Sequence, residues 1–121
     1  MGKISLVKGV RAEKLAAKYI QTIGYKVLYQ NWKCPYGEID LVGIREKHLA
    51  FFEVKYRHSN EYGYPFESIN RSKISRLRKA INLFLIQSHF VSQVWTLEGL
   101  CISPLNNTYK LTHYHNILDF N

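Results

Sequence analysis

The stretch from Gly37 to Arg57 constrains the fold of this chain more than any other: GEIDLVGI, then REKH, then LAFFEVKYR. Both flanks alternate with period two around a cluster of turn residues, which predicts two paired antiparallel strands. Glu38, Asp40, Val42 and Ile44 then share one face of the first strand, and Ile39, Leu41 and Gly43 share the other. On the second strand Leu49, Phe51, Glu53, Lys55 and Arg57 share a face, with Ala50, Phe52, Val54 and Tyr56 opposite. With residues 45–48 as the whole loop, Ile44 faces Leu49, Asp40 faces Glu53 and Glu38 faces Lys55. Like charges directly opposed across strands destabilise a sheet. Asp40 against Glu53 therefore needs a cation, either Lys55 or a bound divalent metal.

Mg²⁺ is a hard ion that takes one or two carboxylates together with water and substrate phosphate. An Asp, with Glu-x-Lys on the neighbouring strand, sets a lysine beside such an ion, where it can orient water or neutralise a phosphate. That is the donor set of a phosphodiester-cleaving centre. The same residues also make a plain surface strand pair in which Lys55 bridges two acids, and the pattern alone leaves both readings open.

The remaining chain decides what kind of molecule carries this pair. At 121 residues, with 46% hydrophobic and 21% charged side chains, it is one folded domain, 1–121, with a single real core. A net charge of +8 and a pI of about 9.6 favour an anionic partner, nucleic acid or an acidic membrane surface. Cys34 and Cys101 match neither a CxxC pair nor a disulfide framework, which suits a reducing cytoplasm. The first residues lack the apolar run of a signal peptide, no later segment reaches the length of a membrane span, and Leu6 breaks the myristoylation pattern. A cytoplasmic protein without internal repeats is expected, working without an organic cofactor.

From about Val10 to Ile23, Ala12, Ala16, Tyr19, Ile20 and Ile23 recur at helical spacing before Gly24, with Lys14, Lys18 and Gln21 outward. Glu13 falls on the edge of the buried stripe, where a carboxylate is costly unless paired, metal-linked or turned to water. Tyr25 to Gln30 reads as a strand. Asn31 to Tyr36 reads as a loop whose Trp32, Lys33 and Tyr36 suit either stacking on bases or packing on the sheet. Residues 58–68, HSNEYGYPFES, form a polar, turn-rich segment suited to a substrate flap. Asn70 caps a helix from Arg71 to about Gln87, with Ile74, Leu77, Ile81, Phe84 and Leu85 inward. Arg71, Lys73, Arg76, Arg78 and Lys79 crowd its first half. Cations there oppose the helix dipole, so a phosphate backbone explains them better than local stability does; a solvated helix face is the alternative. Lys73, a turn before Leu77, points toward the Asp40 site.

Val94 to Ser103 reads as a strand parallel to LAFFEVKYR, reached by a helical crossover. Tyr109 to Tyr114 adds an edge strand. His113 and His115 share a strand face, but no third ligand lies near them in sequence, so they read as surface histidines. His48, His58 and His89 form no pair or triad.

The order helix, three strands, helix, strand, with GEID and FFEVKYR adjacent, resembles the restriction-endonuclease-like superfamily with its PD-(D/E)xK motif. More closely it resembles the small bacterial YraN family. The likeness runs from about Gly9 to Ile102 and rests on Gly9, Ala12–Glu13, Gly24–Tyr25, Asn31–Trp32, GEIDLV, FFEVKYR, Gly63 and Lys73. It implies an α/β fold with a mixed central sheet flanked by helices in the order α-β-β-β-α-β, with room for an extra C-terminal edge strand. It further implies Asp40 and Glu53 as ligands of Mg²⁺ or Mn²⁺, Lys55 as the catalytic lysine, Glu13 as an accessory acid, and Glu38 as a member of the motif facing Lys55. One departure stands out: the family usually carries Arg-Phe-Asp where this chain has Thr96, Leu97 and Glu98. The expected activity is hydrolysis of phosphodiester bonds in DNA, branched forms such as Holliday junctions included, with Arg57, Arg71, Lys73, Arg76, Arg78 and Lys79 on phosphates. The rivals are a catalytically silent nucleic-acid-binding module and a basic adaptor that docks an acidic protein.

Overall fold

Adjacent phenylalanines in a strand point to opposite faces, so Phe51 and Phe52 demand a cover on each side of the sheet. The computed structural model, which describes residues 2–57, 65–66, 71–90 and 94–120, supplies both covers. Its elements are α1 (Gly2–Thr22), β1 (Lys26–Cys34), β2 (Gly37–Arg45), β3 (His48–Tyr56), α2 (Arg71–Gln87), β4 (Val94–Leu105), β5 (Thr108–Tyr114) and a short 3-10 helix, Ile117–Phe120. The strands form one sheet in the order β1-β2-β3-β4-β5. All neighbours are antiparallel except β3 and β4, which run parallel. A parallel pair needs a crossover, and α2 lies within it. This is the mixed α/β architecture that the sequence predicts.

Each face has its own core. Leu49, Phe51, Leu97 and Cys101 pack with Leu77, Ala80, Ile81, Phe84 and Leu85 of α2. Ala50, Phe52, Leu100 and Ile102 pack with Ala12, Ala16, Ala17 and Ile20 of α1. Phe84 anchors the α2 side through edge-to-face contacts with Phe51, Trp32 and Tyr29 at centroid distances of 5.4, 5.3 and 5.5 Å. Such contacts add to the burial itself.

Four boundaries differ from the sequence reading. Helix α1 begins at Gly2 rather than near Val10, because no proline among residues 2–9 breaks it. Its end is fixed by Gly24 at φ 98°, with the Gly24 N–H donating to the Gln21 carbonyl at 3.1 Å and that of Tyr25 to Ile20 at 2.9 Å. Residues 31–34 are strand, not loop. β1 continues through Trp32↔Ile39 and Lys33↔Glu38 to Cys34↔Gly37, and Trp32 is drawn in by Phe84, leaving only Pro35 and Tyr36 as the turn. The β2–β3 loop is likewise two residues rather than four, since Arg45 pairs with His48 and Glu46 takes φ 57°. β4 runs two residues past Ser103, to Leu105. The pairings Ile44↔Leu49 and Leu41↔Phe52 keep the expected register. Most of the flap segment, Gly63 included, and Asn70 and His58 lie outside the described residues. Neither Cys34 nor Cys101 forms a disulfide. No described helix is long and apolar enough to cross a membrane.

Candidate functional site

The β2–β3 register, one step past Leu41↔Phe52, brings Asp40 alongside Glu53. Asp40 Oδ2 accepts the Val54 N–H at 2.8 Å. Burial chiefly, then the Glu53 charge and more weakly those of Glu13 and Glu38, push the Asp40 carboxyl up to about 7 against the pull of that hydrogen bond. Glu53 is also raised, by burial first and by Glu38, although Lys73 and Lys55 oppose the shift. Lys73 Nζ lies 3.1 Å from Glu53 Oε1 and forms the direct ion pair. Two buried carboxyls held above their ordinary range, with neighbouring acids adding to the effect of burial, form a site short of positive charge.

These groups line a cleft of about 360 Å³ in which Glu38, Asp40 and Glu53 meet Lys73 and Arg76. A second cleft of about 280 Å³ shares Glu53 and Lys73 with it and holds Lys55, Pro65 and Phe66. Lys55 Nζ donates to the Pro65 carbonyl at 2.8 Å. Lys55 thus flanks the Glu53–Lys73 pair on the side away from Asp40's cleft. Glu13 comes from α1 and accepts a hydrogen bond from Asn31 Nδ2 at 3.3 Å; its charge reaches Asp40.

The basic cluster of α2 divides. Lys73, Arg76 and Lys79, spaced three apart, descend one flank. Lys73 and Arg76 line the cleft, and Lys79 Nζ sits 5.8 Å above the ring of Tyr36, which lines it too. Arg71 and Arg78 are exposed and line neither cleft. Arg57, half-buried just past β3, is tied through its N–H to the Ile102 carbonyl at 2.9 Å.

The donors at Asp40 and Glu53 are carboxylate oxygens, the type preferred by Mg²⁺ and Mn²⁺. A divalent cation between them would remove the repulsion and desolvation penalty that raise both groups, so the residues fit such an ion.

Sequence reasoning missed a second cluster, on the α1 face. Glu98 is the one buried charged residue among those described. The pairing Leu100↔His113, extended one step beyond Gly99↔Tyr114, lines it up with His113 and His115. His48, which the sequence leaves alone, joins them through Thr96. The available signal was a lone acid inside the apolar run LEGLCI, since a buried carboxylate requires partners. Which histidines would meet it depends on strand pairing.

Comparison with known proteins places these residues in context. The profile of the family described as "Uncharacterised protein family UPF0102" matches residues 12–102. A UPF0102 protein of Carboxydothermus hydrogenoformans is 33% identical over 112 residues, covering 93% of this chain and 95% of the relative. One from Renibacterium salmoninarum is 34% identical over 110 residues, covering 90% and 93%. One from Clostridium kluyveri is 39% identical over 102 residues, covering 84% and 82%.

Proposed function

The chain belongs to the UPF0102 family, and we propose that it is a metal-dependent nuclease that hydrolyses phosphodiester bonds in DNA. The observation that carries this reading is the buried Asp40–Glu53 pair, raised in pKa and set in a cleft with Lys73 and Arg76. Its likeness to the restriction-endonuclease-like active-site pattern supports the same reading. Asp40 and Glu53 would hold Mg²⁺ or Mn²⁺, which supplies Lewis-acid polarisation of a phosphoryl oxygen and a more acidic water. Lys73 and Arg76 meet the entering phosphate within the cleft. Lys55, two residues along the same strand face from Glu53, offers an ammonium to the charge that grows in the transition state. Lys79 beside Tyr36, with Arg57, Arg71 and Arg78 further out, positions the DNA backbone without reading its sequence.

The test is a cleavage screen of single-stranded, duplex, flapped and four-way DNA with Mg²⁺ or Mn²⁺, followed by two variants. Glu53→Gln removes a ligand charge, so metal affinity and cleavage fall together. Lys55→Ala retains metal binding while cleavage drops by roughly 10²–10³, the usual cost of one electrostatic donor. Wild-type cleavage rates in Lys55→Ala would sink this mechanism. DNA binding without cleavage of any form would establish the silent module, a reading that the Lys55–Pro65 hydrogen bond favours. No affinity for nucleic acid at low salt would leave the adaptor.

A further inference from the structure

We propose that Glu98, His113 and His115 form a second metal site, selective for a borderline first-row ion of the Zn²⁺ type, on the sheet face opposite the Asp40–Glu53 cleft. Each offers one donor atom, and the three donors lie within 4.8 Å of one another. Two imidazoles and one carboxylate are the ligand set of three-coordinate protein sites for zinc that keep one position open. Imidazole suits Zn²⁺, Cu²⁺, Fe²⁺ and Ni²⁺, whereas the all-oxygen pair at Asp40 and Glu53 suits Mg²⁺ and Mn²⁺. The two sites therefore draw on different ions.

The cluster is built into the fold rather than scattered on its surface. Glu98 is 4% exposed, and the α1 face around it holds a cavity of about 200 Å³ that His48, Thr96, His113 and His115 help to line. His113 Nε2 contacts Glu98 Oε1 directly, and His115 Nδ1 lies 3.3 Å from the same oxygen. Donors around a tetrahedral zinc stand about 3.4 Å apart. His115 already has that spacing. The His113–Glu98 contact is closer, so an ion would replace it.

Two further contacts orient the donors, as outer-shell hydrogen bonds do in metal sites. Thr96 Oγ1 donates to Glu98 Oε2 at 2.6 Å. Having spent its proton there, Thr96 must accept from His48 Nε2, 2.9 Å away. Tyr19 Oη lies 2.8 Å from His113 Nδ1. With an ion on Nε2, the ring proton of His113 sits on Nδ1 and donates to Tyr19. The ligand atoms come from β4 and from the end of β5 and its continuation, so an ion pins the edge strand to the sheet.

Competition for Zn²⁺ against a chromophoric chelator, with melting curves of the same proteins, tests the site. One Zn²⁺ per chain is expected, with a higher melting temperature. His115→Ala is the decisive variant, because its side chain is largely exposed and its loss leaves the apo fold intact. It should weaken Zn²⁺ binding at least tenfold and abolish the melting shift. Tyr19→Phe should weaken binding by about 10–100-fold, the usual cost of an outer-shell partner. Asp40→Asn and His89→Asn should leave the affinity unchanged, which separates this site from the carboxylate cleft and from stray histidines. Absence of Zn²⁺ binding by the wild-type chain, or equal affinity in His115→Ala, overturns the proposal. Neither result bears on cleavage with Mg²⁺.

Discussion

Asp40 concentrates the chemistry of the cleft in one carboxyl. Its ordinary value is 3.8 and its folded value about 7, so between those pH values the folded chain holds a proton that the unfolded chain has released. Stability then falls as pH rises from about 4 to about 7, because the native state binds more protons. Asp40→Asn keeps an acceptor for the Val54 N–H and removes the charge. Without divalent ions it should be more stable than wild type at pH 8, with the gap closing by pH 4. Denaturant titrations at several pH values check this, and a gap independent of pH would show that Asp40 carries no buried charge. Glu98 behaves differently. Burial, the largest single influence, raises it, but hydrogen bonds from His113 and Thr96 and the nearby imidazoles outweigh that and hold its carboxyl low. The sequence showed both acids on apolar strands; it took the packing to show that Glu98 meets imidazoles and a hydroxyl, whereas Asp40 meets a backbone N–H beside other acids.

At the scale of elements, α2 walls the Asp40–Glu53 cleft, and Gly99 of β4 backs the Phe66 ring that lines the second cleft. A Cβ on Gly99 would lie 2.5 Å from Phe66 Cε2 and 2.7 Å from Cζ, closer than real contacts allow. The ring cannot yield cheaply, since Phe66 is 3% exposed. Gly99→Ala should cost about 1–3 kcal/mol, the usual penalty for overpacking, measurable by urea unfolding; an unchanged midpoint would mean that Phe66 shifts freely. Helix α2 was legible in the sequence, expected from Arg71 to about Gln87 and found over Arg71–Gln87, because its apolar stripe is strongly periodic. Its cations were legible as a group but not as two flanks. If Arg76 and Lys79 each contact a phosphate on duplex DNA, replacing both should lower the salt slope of binding by about 1.8. Isotherms across salt concentrations decide it, and an unchanged slope removes this flank of the helix from the interface.

Across the whole molecule, one sheet divides the chemistry between its faces, oxygen donors toward α2 and imidazoles toward α1. Stabilisation by Mn²⁺ and by Zn²⁺ should therefore add, each giving about 2.7 kcal/mol at a free concentration 100 times its dissociation constant. Denaturant titrations with either ion and with both measure this; competition between them would merge the two sites. The alternation of Gly37 to Arg57 by itself determined the β2–β3 register, and with it the pairing of Asp40 and Glu53, because period two and a short turn leave one way to bury Phe51 and Phe52. The apolar stripes likewise determined which side of each helix turns inward. Only the tertiary structure decided that Lys73 rather than Lys55 bonds Glu53, that Trp32 belongs to a strand, and that Thr96 and Glu98 meet His48, His113 and His115. The His48–Thr96 contact alone joins residues 48 positions apart. Local patterning fixes which face a side chain points to, and only the packing of elements distant along the chain fixes what it meets there.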